Sequence, residues 1–144
     1  MRLLSKTCLY GIRAALFVAS VEDRKFVSIR RISSELGISF YFLTKILQTL
    51  THHKIMVSYR GPNGGVSLAR SASDITLMEL IDIIETENCL NECVLGLKGC
   101  GEGVPCPLHD EWSVARDGIK NMFSGTTLAE LGRKIKDDGF RLIS

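Results

Sequence analysis

Residues 28–70 read SIRRISSELGISFYFLTKILQTLTHHKIMVSYRGPNGGVSLAR, and this stretch decides the fold. Ser28 has the short polar side chain of a helix N-cap, Ile29, Ile32 and Leu36 follow at helical spacing, and Gly37 supplies a left-handed stop. Ser39 opens a second helix, and the stripe Leu43, Ile46, Leu47 and Leu50 predicts that it runs to about His53 with one buried face. Only Gly37-Ile38-Ser39 separates the two, the tight glycine-containing turn of a helix-turn-helix. Residues 55–60 and 66–70 then read as two strands around Gly61-Pro62-Asn63-Gly64-Gly65, whose residue types supply positive or preset φ angles. A helix-turn-helix followed by a β-hairpin predicts a winged helix.

Outward from this stretch the pattern stays helical. Leu9, Ile12, Leu16 and Ala19 place one face of a helix over 5–20 in a core, with Cys8 and Ala15 beside the stripe. Thr76 and Glu79 form a capping box for a helix carrying Leu77, Leu80, Ile81 and Ile84. Residues 87–107 have no period, several glycines and four cysteines, which predicts a loop. From Leu108 the series Leu108, Trp112, Ala115, Ile119, Met122 steps by four, three, four and three, the narrow seam of a helix packed on a partner helix. A homodimer is the expectation, although burial against the chain's own domain would give the same spacing. Thr127 with Glu130 caps a last helix bearing Leu128, Leu131 and Ile135. The expected fold is mainly α with a small β-hairpin wing: a winged-helix DNA-binding domain over 1–75, and a cysteine-loop and helical dimerisation region over 76–144.

Composition and charge narrow the function. The 144 residues are 45% apolar and 24% charged, the balance of a chain that buries a core. The apolar run 14–21 is too short to span a bilayer and is flanked by Arg13 and the charged cluster 22–25, and no export signal is visible, so the expected compartment is the cytoplasm, with no membrane partner. Residues 1–70 hold 11 Lys/Arg against 3 Asp/Glu, net +8, whereas residues 71–144 hold 7 against 13, net −6. A basic first half suits a polyanion such as double-stranded DNA, and the acidic second half suits another task. Nothing assembles a nucleophile–base pair or a phosphate-binding loop before a helix, which speaks against an enzyme.

On the second helix of the helix-turn-helix, Tyr41, Thr44, Lys45 and Gln48 sit at i, i+3, i+4 and i+7 and share the face that the core does not use. Gln48 can pair with an adenine edge, Lys45 can reach guanine or phosphate, and Tyr41 and Thr44 can bond phosphate or touch a thymine methyl. Arg60 adjoins the wing turn, where exposed amides of Gly61, Asn63 and Gly64 accompany it. A cation there suits a narrow minor groove. Arg2, Lys6, Arg30 and Arg31 are candidate phosphate contacts.

Five cysteines form the second asymmetry: Cys8 stands alone, while Cys89, Cys93, Cys100 and Cys106 fall within 18 residues. An odd count without an export signal argues against a disulfide framework and for metal ligation or thiol chemistry. Structural zinc usually takes two close pairs of ligands, and the run Cys93, Cys100, Cys106, His109 has only the last pair close. Thiolates on a flexible glycine-rich loop suit an iron–sulfur cluster better. A cofactor-free or zinc-binding winged-helix regulator, or a thiol-redox interaction module, is the alternative.

The opening 1–6, the wing Arg60-Gly61-Pro62-Asn63-Gly64-Gly65 and the loop Cys93…Cys100…Cys106-Pro107-Leu108-His109 together resemble the Rrf2 family of winged-helix transcription regulators, over about residues 1–135. The resemblance implies a homodimer whose long C-terminal helices cross, and a regulator that responds to iron–sulfur status, redox or nitric oxide. It implies cluster ligation by Cys93, Cys100 and Cys106, with [2Fe–2S] favoured over [4Fe–4S]. It also implies base or phosphate contacts from the helix that Ser39 opens, and insertion of Arg60 in the minor groove. The Cys-x-x-His ending matches the cluster-sensing members and implicates His109 as fourth ligand, with Cys8 of the partner subunit as the alternative.

Overall fold

The computed structural model describes residues 3–21, 26–87, 89–101 and 103–144. Six α-helices and one hairpin follow in the order α1 (Lys6–Ser20), α2 (Ile29–Leu36), α3 (Phe40–His52), β1 (Met56–Tyr59), β2 (Gly65–Leu68), α4 (Leu77–Ile84), α5 (His109–Ser124) and α6 (Leu128–Asp137). Short 3-10 turns occupy Ala72–Asp74 and Cys89–Asn91.

Every helix except α5 starts where a side-chain oxygen satisfies a free backbone donor. Ser5, Ser28, Thr76 and Thr127 accept from the amides of Cys8, Arg31, Glu79 and Glu130 at 3.1–3.2 Å. Ser39 accepts from Phe42 at 3.5 Å. Each such cap stabilises its helix by about 1 kcal/mol. Helix α2 ends at Gly37, whose φ of 65° is the left-handed conformation the tight turn into α3 demands. Helix α5 has no side-chain cap; Asp110 and Glu111 in its first turn face the positive end of its dipole instead.

Helix α1 runs through the centre, packed by α3, α4 and α6, with α2 alongside. The expected stripe Leu43, Ile46, Leu47 and Leu50 is buried, as are Ile32 and Leu36 opposite it. Each fully buried aliphatic side chain contributes roughly 1.5–3 kcal/mol, which fixes α3 against α2 and leaves its other face free. One hydrophobic core runs through both halves of the chain: Leu80, Ile81, Leu90, Phe123 and Leu128 join residues of α1 to α3 in it. The amide and hydroxyl of Ser5 both donate to the Glu85 carboxylate, the former at 3.3 Å, tying the start of α1 to the end of α4.

The hairpin pairs Met56 with Leu68 and Tyr59 with Gly65. It is shorter than the strands expected over 55–60 and 66–70, and Gly65 belongs to its second strand. Val27 adds a bridge to Val66 through two bonds of 2.8 and 2.9 Å, so the wing is anchored to the chain just before α2.

Candidate functional site

Tyr41, Lys45 and Gln48 are exposed on α3, with Thr44 half-buried beside them. Lys45 Nζ sits 4.7 Å above the Tyr41 ring, a cation–π contact that holds the ammonium on the outer face. The Thr44 hydroxyl donates to the Phe40 carbonyl at 2.8 Å, so its hydrogen is committed to the helix and only its methyl and lone pairs face outward. Thr44, Gln48, Arg60, Gly61 and Gly64 line one groove of about 800 Å³ between α3 and the wing. Helix α3 and the wing therefore present Thr44, Gln48 and Arg60 to a common space, while Tyr41 and Lys45 lie outside it. Ser39 and Tyr41 line a separate hollow with Lys6 and Tyr10, and Asn63 lines a third beside Arg31 and Phe26. Arg2 lies outside the described residues.

One groove residue of basic type, His52, was not singled out from the sequence. His52 follows Gln48 by one turn of α3 and lines the same groove. Arg30, one of the candidate phosphate contacts, also lines it, with its guanidinium 4.9 Å from the Phe40 ring, so α2 supplies a positioned cation to the groove. A helical wheel continued past Gln48 would have found His52.

Cys93, Cys100, Cys106 and His109 all line one small pocket in the loop ahead of α5. The Cys93 carbonyl accepts from the Gly96 amide at 2.9 Å, and this turn folds backbone N–H groups over the sulfur. The amides of Leu97 and then Leu95 hold the buried Cys93 thiol below its ordinary value, since each stabilises a thiolate. Burial pushes the Cys106 thiol the other way, with the neighbouring Cys93 and Cys100 adding to it. His109 points Nδ1 at Cys100 Sγ, 3.7 Å away, and Nε2 at Ser113 Oγ, 3.3 Å away. Arg116 Nη1 lies 3.6 Å from Cys100 Sγ. Ser113 and Arg116 were missed in the sequence, although they follow His109 at i+4 and i+7. Among the described residues no three Cys, His, Asp or Glu side chains converge to hold a single metal ion. Three thiols, an imidazole and a nearby cation suit a multi-iron anionic cluster, which is ligated at several corners.

Cys8 lies apart from the loop cysteines. Its thiol is fully enclosed in the core of its own subunit, and burial pushes it up to about 12, with the charge of Glu85 and a hydrogen bond to it acting in the same direction. Cys8 does not line the pocket shared by Cys93, Cys100, Cys106 and His109.

The seam on α5 divides. Ile119 packs against the chain's own core, and the Trp112 indole donates to the Glu92 carbonyl at 2.9 Å. Lys120 Nζ reaches Asn91 Oδ1 at 3.0 Å, so α5 holds the cysteine loop at two points. Leu108, Ala115 and Met122 remain uncovered, with Met122 54% exposed. No helix among the described residues is long and apolar enough to cross a membrane.

Residues 4–134 match the profile of a family described as Rrf2, iron-dependent transcriptional regulator. The HTH-type transcriptional regulator IscR of Photorhabdus laumondii is 34% identical over 131 residues, 91% of this chain and 79% of that relative. IscR of Escherichia coli O1:K1 is 33% identical over 131 residues, 91% of this chain and 80% of its own. Among solved structures, CymR, the global cysteine regulator of B. subtilis, has a TM-score of 0.78 at 23% identity, covering 92% of this chain and 97% of that one. T. potens IscR has a TM-score of 0.76 at 22% identity, covering 96% and 91%. At these identities the two structures speak for the winged-helix fold.

Proposed function

Because the chain belongs to the Rrf2 family of transcriptional regulators, we propose that it binds operator DNA as a cytoplasmic homodimer and that an iron–sulfur cluster held by Cys93, Cys100, Cys106 and His109 sets its operator affinity. It is a regulator rather than an enzyme. The observation that carries the cluster reading is the lining of one pocket by all four donors.

Gln48 and Lys45 on α3 enter the major groove and read base edges, while Tyr41 and Ser39 reach phosphate beside them. Arg60 enters the minor groove from the wing, supported by the amides of Gly61, Asn63 and Gly64. The common groove of α3 and wing fits the two contacts on one half-site. A second subunit, packed along Leu108, Ala115 and Met122, places its own α3 on a second half-site about one helical turn away.

An iron–sulfur cluster, when bound, supplies a charge and an occupancy that change with redox state, oxidants or nitric oxide. The residues around it do the rest. Ser113 engages Nε2 of His109, so Nδ1, which faces Cys100, is the nitrogen that would hold the group. Trp112 and Lys120 connect the loop to α5, so a change at the loop would be passed to the helix proposed to join the subunits. The two states can alter DNA affinity only by their differential fit to the operator, about 1–3 kcal/mol for a coupled site.

Iron, acid-labile sulfide and the visible spectrum of anaerobically purified protein test the reading, together with operator affinity before and after stripping. About two irons and two sulfides per chain are expected for [2Fe–2S] and about four of each for [4Fe–4S], with affinities roughly five- to 150-fold apart. Colourless protein, zinc without sulfide, or equal affinities on every operator would leave a DNA-binding regulator without a cluster sensor.

A further inference from the structure

Arg116 is placed in a way that the loop's free thiols do not explain. Its side chain is only 18% exposed, and its Nε is the one buried side-chain nitrogen or oxygen among the described residues without a hydrogen bond. Asp117 Oδ1 lies 3.6 Å from that nitrogen, but the Asp117 side chain is 64% exposed, so water screens much of its charge. The contact on the buried side is Cys100, with Nη1 donating toward Sγ at 3.6 Å. A neutral thiol is a weak acceptor and poor compensation for a guanidinium taken out of water. His109, Ser113 and Arg116 also share one face of α5, turned to the cysteine loop, so the cation is aimed at the pocket by the same helix that supplies the imidazole.

We infer that Arg116 is the charge partner of the anionic metal–sulfur group held by the cysteine loop: its guanidinium donates to the Cys100 sulfur, retains the group and favours its reduction. This rests on the cluster reading above. Three thiolates around a doubly positive core leave a net negative charge, and one added electron increases it. The fixed positive charge of Arg116 therefore favours the reduced form over the oxidised one. Arg116 is a positioning residue, since its action passes through a ligand's sulfur.

The test is a spectroelectrochemical titration of the anaerobically purified full chain with viologen-type mediators. A reduced mediator gives up one electron and is oxidised, the loaded loop accepts that electron, and no bond is made or broken. In R116Q the reduced-to-oxidised ratio at a given poise is expected to fall about tenfold, equivalent to 59 mV for one electron. Iron loss to a chelator should quicken, while circular dichroism stays that of the parent. R116K keeps the charge and should fall between the two. D117N removes the nearby carboxylate and should move the ratio about threefold the opposite way. A parental midpoint in R116Q, or R116K as low as R116Q, overturns the assignment. Should R116Q fail to fold, unchanged midpoints in both R116K and D117N overturn it. A parent that carries no iron sinks the cluster reading itself and this assignment with it, whereas an iron-loaded parent whose midpoint ignores Arg116 overturns the assignment alone.

Discussion

Burial and Glu85 raise the Cys8 thiol from its ordinary 9.0 to about 12, while backbone amides lower that of Cys93, so two residues of one type hold their protons with opposite tenacity. The sign of the Cys8 shift gives a test. Its folded-state value lies above the unfolded one, so the folded chain keeps a proton that the unfolded chain releases as pH passes 9. The stabilisation is complete below pH 9 and is lost as pH rises toward 12. Cys8→Ala should therefore lose less stability than the parent between these limits, measured by urea unfolding across a pH series. Parallel slopes would mean that the thiol is not buried as described. On the DNA side, Arg60→Ala is expected to weaken operator binding by about 1–3 kcal/mol at constant salt, the scale of one good groove contact. Gln48→Ala should relax base preference instead, and an unchanged specificity profile would place the reading face elsewhere on α3.

The wing shows how an element depends on a single backbone position. Gly65 has φ of 157°, and a Cβ there would stand 2.0 Å from the Val27 carbonyl oxygen, which itself accepts from the Val66 amide. The bridge and the added methyl cannot coexist without movement of backbone. Gly65→Ala is expected to cost about 2 kcal/mol or more and to weaken DNA binding through the displaced wing, read by thermal unfolding and operator titration. A variant as stable as the parent would show that the Val27 bridge does not form. This strand also marks the limit of what the sequence tells. Helices α1 to α4 and α6 were legible because their signals are local: a 3.6-residue stripe, for all but α1 a Ser or Thr cap, and, for α2, a glycine stop. The turn at 61–65 was legible for the same reason. The Val27 bridge, the enclosure of Cys8 and the grip of Trp112 and Lys120 on the loop depend on residues far apart in the chain. Periodicity identifies the buried stripe on a helix, but not the depth at which a thiol lies or which carbonyl an indole will find. The loop donors could be named from residue type and spacing, whereas the neighbours that orient them could not.

At the scale of the molecule, the open part of α5 and the division of charge point to an assembly. Leu108 and Met122 are 42% and 54% exposed, and Ala115 lies between them, an apolar strip that the chain's own core does not reach. Ile119 is a poor place to test it, because that side chain also packs against the core and a charge there would damage folding and association together. Met122 separates the two. A glutamate at 122 stays in water in the monomer and is desolvated only when a partner helix covers the strip. Met122→Glu is therefore expected to unfold near the parental denaturant slope for a single chain, yet to sediment as a monomer at micromolar concentration where the parent is a dimer. It should also lose the palindromic operator, because a lone α3 and wing engage one half-site. The remaining half-site contact should keep the parent's steep dependence on salt per subunit, since the basic first half of the chain, net +8, is untouched. A Met122→Glu protein that still dimerises and binds the full palindrome would move the interface off this strip and leave the exposed apolar face of α5 without its explanation.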